Sequence, residues 1–143
     1  MKTVQQLLET KRHGVVSVAP ESSVLDALRV MAEREIGAVL VLDGEHLIGV
    51  FSERDYARKV VLQGKASKDT PVRLIMTDRV VCVRLTQTIE DCMNLMTDKR
   101  IRHLPVLDNG RLVGLVSIGD VVKHRLEEME KESSALRDYI QTA

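Results

Sequence analysis

AVLVLDGEHLIGVFSERD at residues 38–55 and HLPVLDNGRLVGLVSIGD at residues 103–120 share one pattern. Each is an apolar run, a turn pair (Asp43-Gly44 or Asn109-Gly110), a second apolar run, and a serine followed three residues later by aspartate. Asp-Gly and Asn-Gly tolerate left-handed backbone, so between apolar runs they favour a tight hairpin turn. Each stretch therefore predicts a β-hairpin that feeds a helix beginning at Ser52 or Ser117. Tyr56, Val60 and Val61 in one copy, and Val121, Val122 and Leu126 in the other, supply that helix with apolar positions.

Working outward, a shift of 65 positions aligns residues 15–60 with residues 80–125 without a gap. Identities such as Val16/Val81, Asp26/Asp91, Met31/Met96, Gly49/Gly114 and Asp55/Asp120 mark a duplicated unit. Ahead of each hairpin stands a β-branched run, VVSV or VVCV, which reads as a strand. A helical pattern follows, with Val24, Leu28 and Met31 on one face in the first copy and Ile89, Cys92 and Met96 in the second. Ser23 and Thr88 stand where caps belong. The unit is β-α-β-β-α, and the fold class is α+β with α/β-like character. A three-stranded sheet with helices on one side leaves its other face bare, so the two pseudo-symmetric repeats are expected to pack through their sheets, with ligand clefts between them.

Between the copies, LQGKASKDTPVRLIMTDR (62–79) reads as a linker ending in a short helical turn at Val72 to Met76. Val4, Leu7 and Leu8 echo Val72, Ile75 and Met76. The expected division is a first repeat with its N-terminal helical segment over 1–66, the linker and second repeat over 67–129, and a C-terminal helix over 130–143.

Composition narrows the function. Lysine plus arginine (21) balance aspartate plus glutamate (21), so no overall field exists to hold nucleic acid or an anionic membrane. Aromatic residues are 2% with no tryptophan, too few for base-stacking platforms. No stretch approaches the roughly 20 apolar residues of a membrane span, and the start lacks a signal-peptide core. A cytoplasmic protein is expected. Cys82 and Cys92 fit neither a disulfide framework nor a zinc pattern and read as small core residues. His13, His46, His103 and His124 belong to no nucleophile or metal motif, and no phosphate-loop string occurs, so catalysis is not expected.

The strings GVFSERD and GLVSIGD, with IRHLPV before the second hairpin, make the chain resemble a tandem pair of CBS domains, named after cystathionine β-synthase. The likeness covers nearly the whole chain. It implies a regulatory module that binds an adenosine nucleotide, AMP first and otherwise ADP, ATP or NAD. It also implies a homodimer acting on an unidentified protein target. Little chain lies before residue 15 or after residue 125, so a stand-alone module is expected rather than one fused to an enzyme.

On that resemblance, Asp55 and Asp120 bond the ribose hydroxyls, while Ser52 and Ser117 place a hydroxyl and helix-start amides near phosphate. Serine followed at three residues by an acid is also close to a capping box, and both roles can coexist. Gly49 and Gly114 would give a ligand room. Arg102 and His103, just before Leu104-Pro105-Val106, offer phosphate donors in the second copy. The first copy has Gly37 and Ala38 there and offers Arg54, Arg58 and Lys59 instead, where the second has Gly119 beside Asp120. The base would rest on aliphatic side chains, with Val16, Ile36, Val81, Val83 and Ile101 as walls and Pro105 nearby. A competing reading keeps the module free of ligand and uses it for dimerisation or docking, with Leu126, Met129, Leu136 and Ile140 of the C-terminal stretch facing a partner.

Overall fold

The computed structural model describes residues 2–11 and 14–142, which leaves His13 outside. In chain order the elements are α1 (Val4–Thr10), β1 (Ser17–Val18), α2 (Val24–Arg34), β2 (Ala38–Asp43), β3 (His46–Ser52) and α3 (Glu53–Asp55), which runs on as a π-helical segment over Tyr56–Val61. A 3-10 turn at Val72–Leu74 precedes β4 (Val83–Arg84), α4 (Ile89–Lys99), β5 (His103–Asp108), β6 (Arg111–Ser117) and α5 (Ile118–Thr142). They form two compact units, His13–Val81 and Met1–Arg12 with Cys82–Ala143.

Both units realise the β-α-β-β-α order with sheets β1-β2-β3 and β4-β5-β6. The first pair of strands in each is parallel and the hairpin pair antiparallel. Even the ladder irregularity recurs, between Val41 and Leu42 and between Val106 and Leu107. The two turns occupy equivalent positions, and the first lies one residue later than the Asp43-Gly44 pair expected from the sequence. Asn109 and Gly110 form the second turn, both with positive φ, whereas Asp43 still pairs with His46 and the first turn is Gly44-Glu45, with only Gly44 left-handed. Gly44 at the first turn position and Asn-Gly in the second are the chemistries that twisted hairpins accept.

Ser23 accepts the Asp26 amide at 3.1 Å to start α2. Thr88 and Asp91 exchange bonds of 3.1 and 3.0 Å in a full capping box at the start of α4. In the first unit α2 buries Val24, Ala27 and Met31 against Val39, Val41 and Phe51, with Val60, Val72 and Ile75 completing the cluster. Burying a side chain such as Phe51 in full contributes about 1.5–3 kcal/mol. The central strand β2 is buried from Ala38 through Val41, which accounts for its unbroken apolar run.

The N-terminal segment lies with the second repeat, which differs from the division read in the sequence. Val4 donates to Gln87 O at 2.8 Å, Gln5 to Leu85 O at 3.1 Å, and Ile89 to Lys2 O at 3.0 Å, while Val4 and Leu7 are fully buried. Residues 70–76 do the same for the first repeat, with Val24 donating to Thr70 O at 2.9 Å and Val72 to Ser22 O at 2.8 Å. The echo between Val4/Leu7 and Val72/Ile75 is thus a shared task, covering a repeat at the start of its first helix. The C-terminal residues continue α5 without a break at residue 130. Among the described residues no helix is long and apolar enough to cross a membrane.

Candidate functional site

Each β-hairpin ends on a serine that caps the next helix, so the Ser-Asp pair is fixed first by local backbone chemistry. In the first repeat Ser52 N–H and Oγ–H both donate to Asp55 Oδ2, at 3.0 and 3.1 Å, and Ser52 Oγ accepts the Asp55 amide at 3.2 Å. The second oxygen, Oδ1, accepts from Thr77 Oγ1 at 3.1 Å and from Lys59 Nζ at 3.2 Å. Thr77 is carried there by its two-way bridge to Val50 on the edge of β3. Asp55 therefore has both oxygens engaged, and its side chain is 12% exposed.

Asp120 is held differently. Ser117 N–H donates to its Oδ2 at 2.9 Å, and the Asp120 amide donates to Ser117 Oγ at 3.2 Å. Lys11, just past the end of α1, places Nζ 2.8 Å from the same Oδ2 and donates to Leu115 O at 2.6 Å. Burial alone would push the Asp120 carboxyl up. Hydrogen bonds from Lys11 and Ser117, with the Lys11 charge, outweigh it and hold the group below its ordinary value. Among the described residues these bonds reach Asp120 at Oδ2 alone, and its side chain is 22% exposed.

The capping role is thus present in both copies, and much of the expected anion seat is filled by the protein itself. Of the first-turn amides, Glu53 N–H donates to Gly37 O at 3.0 Å and Ile118 N–H to Arg102 O at 2.8 Å. Those of Asp55 and Asp120 go to the serine hydroxyls. The amides of Arg54 and Gly119 are the ones between them. The glycines expected to make room for a ligand make room for neighbours: a Cβ on Gly114 would lie 2.8 Å from both δ-carbons of Leu8, and one on Gly49 would run into Met76.

Arg102 and Gly119 come together in the second repeat. They line an open groove of about 720 Å³ with Lys123, the acidic Glu127 and Glu130, and the apolar Ile118, Val122 and Leu126. His103 begins β5 opposite Ser117 and is half-buried. Pro105 and Val83 are buried in the sheet, with Val81 half-buried just before β4. In the first repeat Leu40 N–H donates to Val16 O at 3.1 Å, and Pro105, which lacks an N–H, has no such bond to give at the equivalent place. Arg54 and Arg58 are exposed on the α3 segment and its continuation, whereas Lys59 turns back to Asp55. Lys11 and Thr77 were missed in the sequence. Both lie outside the duplicated stretch, and only the pairing of α1 and of residue 77 with the hairpins brings them to the carboxylates.

Among the described residues no group of three His, Cys, Asp or Glu side chains is placed to hold a metal ion. Burial, with the Asp91 carboxylate beside it, pushes the Cys92 thiol up to about 11. Burial raises Cys82 as well.

The CBS domain family model matches residues 6–62 and 72–127. A curated relative, the mitochondrial CBS domain-containing protein CBSX3 of Arabidopsis thaliana, is 40% identical over 126 residues, 85% of this chain, and the chain spans 61% of that relative's length. Among solved structures, the CBS domain NE2398 is 51% identical with a TM-score of 0.84, covering 87% of this chain and 98% of its own. CBSX2, solved in complex with AMP, is 29% identical with a TM-score of 0.73, covering 90% of this chain and 99% of its own. Two matches to one family model, on two units that each show the β-α-β-β-α order, make the chain a member of the CBS domain family.

Proposed function

We propose that the protein is a regulatory, non-enzymatic module that binds an adenosine nucleotide, AMP first, with Asp120 of the second repeat as its principal ribose contact. The observation that carries this reading is the asymmetry of the two carboxylates. Asp55 is bonded at both oxygens, whereas Asp120 is bonded at Oδ2, and its chain neighbour Gly119, though not Asp120 itself, lines the groove with Arg102 and Lys123. A carboxylate with an oxygen to offer suits a ribose diol, and Arg102 and Lys123 can meet a phosphate against the opposing charge of Glu127 and Glu130 in the same groove. The AMP complex of the related CBSX2 supports the ligand class. ADP, ATP and NAD share the adenosine part and remain within the reading, as do a homodimer, a protein target and a cytoplasmic setting, although the Arabidopsis relative is named as mitochondrial.

Ser52, Arg54, Asp55 and Arg58 form the weaker half. There the capping box, Thr77 and Lys59 satisfy the acid, an observation that favours the docking reading for the first repeat. Thermal unfolding with added nucleotide separates the two. Ligand at 100 times its dissociation constant stabilises by about 2.7 kcal/mol, which for a chain of this size is roughly 5–10 °C. AMP is expected to raise the midpoint by that order, with most of the rise lost in Asp120→Asn and retained in Asp55→Asn. No shift with any adenosine nucleotide would leave the docking reading in its place.

A further inference from the structure

α5 is anchored on one face and bare on another. Val121 and His124 are buried against the second repeat, whereas Val122, Leu126, Met129, Leu136 and Ile140 are exposed, Leu126, Leu136 and Ile140 by 59, 60 and 65%. Together with Ser133 these positions advance by 4, 3, 4, 3 and 4 residues, the spacing of a heptad seam with Val122, Met129 and Leu136 at d and Leu126, Ser133 and Ile140 at a. On a helix they form a stripe centred about 130° from the midpoint of Val121 and His124.

The charges beside the stripe select its occupant. Lys123, Glu130 and Arg137 fall at e, and Arg125 and Glu132 at g. When two copies lie parallel and in register, each g residue meets the e residue five positions on in the other chain. Arg125 then faces Glu130 and Glu132 faces Arg137, opposite charges in both layers and, by symmetry, on both sides. The fully overlapped antiparallel alignment sets Lys123 against Arg137 and Glu130 and Glu132 each against its own copy, like charges in each case, and leaves Arg125 facing Tyr139. We propose that Val122–Ile140 of α5 pairs with the same stretch of a second copy of this chain as a parallel, in-register two-stranded coiled coil.

The seam is under three heptads, so the pairing depends on the folded module, which holds the first turns of α5 in place through Val121 and His124. Ser133 at one a position leaves a weak layer in the middle. The inference rests on the functional reading for stoichiometry alone, and because Val122, Lys123, Leu126 and Glu130 also line the groove of that reading, the coiled coil and a nucleotide seated there compete.

The test uses the full chain at tens of micromolar without nucleotide, so its failure leaves the nucleotide reading to the thermal experiment. Sedimentation should return twice the 16.0 kDa chain mass. Leu136→Glu should return the monomer with the secondary structure of the folded module retained, and its thermal midpoint should lose the concentration dependence that pairing gives the wild type. As a second route, Arg137→Glu should weaken the dimer at least tenfold, and Glu132→Arg with Arg137→Glu should restore it. Ile140→Cys should form a covalent dimer under mild oxidant while the unsubstituted chain does not, since an antiparallel pair would hold the two thiols about 27 Å apart at 1.5 Å per residue. A monomeric wild-type chain, a dimer that survives both Leu136→Glu and Arg137→Glu, or no cross-link through Cys at 140 would each overturn the proposal.

Discussion

A methyl group on Gly114 would sit 2.8 Å from both δ-carbons of Leu8, well inside ordinary contact distance. Gly114→Ala is therefore expected to cost about 1–3 kcal/mol as overpacking, read as a lowered urea midpoint. Gly49→Ala should cost at least as much, because its Cβ would run into Met76 and also lie 3.1 Å from the backbone oxygen of Thr77, which the bridge to Val50 holds in place. The recurrence of glycine at both positions was legible in the sequence, but its reason was not. A glycine that admits a ligand and one that admits a leucine look alike until the partner is placed. Asp120 carries a second expectation at this scale. Its folded carboxyl is held below the ordinary value of 3.8, so the stabilisation it brings is complete above that value and is lost as pH falls through the lower, folded one. Chemical denaturation from pH 7 to pH 2 should show wild type more stable than Asp120→Asn at neutral pH, with the gap closing below about pH 4. A gap that widens in acid would contradict the Lys11 pairing.

The two ends of α1 are fastened to elements far along the chain. Lys2 donates its amide to Glu128 at 3.2 Å and faces His124 Nδ1 with Nζ at 3.3 Å, while His124 Nε2 lies 3.2 Å from Thr10 Oγ1. Thr10 already donates to Leu7 O at 2.8 Å, so its oxygen accepts from Nε2–H and leaves Nδ1 bare toward the lysine. The Glu128 carboxyl is lowered chiefly by the Lys2 amide. Replacing the buried ring by His124→Ala removes these bonds, and about 1–3 kcal/mol of stability is expected to go with it, together with faster amide exchange through α1. Uniform protection of α1 in that variant would show that Val4 and Leu7 hold the helix alone. Lys11→Met tests the other end. It should lower stability by a similar order and, on the nucleotide reading, tighten AMP severalfold by freeing Asp120. At this scale the sequence was informative for α2, α4 and both hairpins, whose caps, periodicity and turn signals are local, although the first turn falls at Gly44-Glu45 and not at the Asp43-Gly44 pair. It was silent on where α1 would dock, because Val4 and Leu7 carry the same apolar signal whichever repeat they cover.

Duplication organises the molecule, yet it has not kept the two halves chemically alike. The first repeat closes its acid with Thr77 and Lys59 and follows it with a π-helical segment, whereas the second follows its acid with a 25-residue helix and a groove. These differences come partly from Thr77 and Lys11, beyond the aligned stretch, and partly from unlike residues within it, such as Lys59 opposite His124 and Arg54 opposite Gly119, which is why the candidate residues were legible and their inequality only partly so. The central claim is that Asp120 holds the ribose diol of an adenosine nucleotide. Equilibrium titration of AMP against 2′,3′-dideoxyadenosine monophosphate, in wild type and in Asp120→Asn, addresses it most directly. The account predicts that wild type prefers AMP at least tenfold, about 1.4 kcal/mol, and that the preference disappears in Asp120→Asn. Equal affinity of wild type for the two nucleotides, or a preference untouched by the substitution, would contradict it.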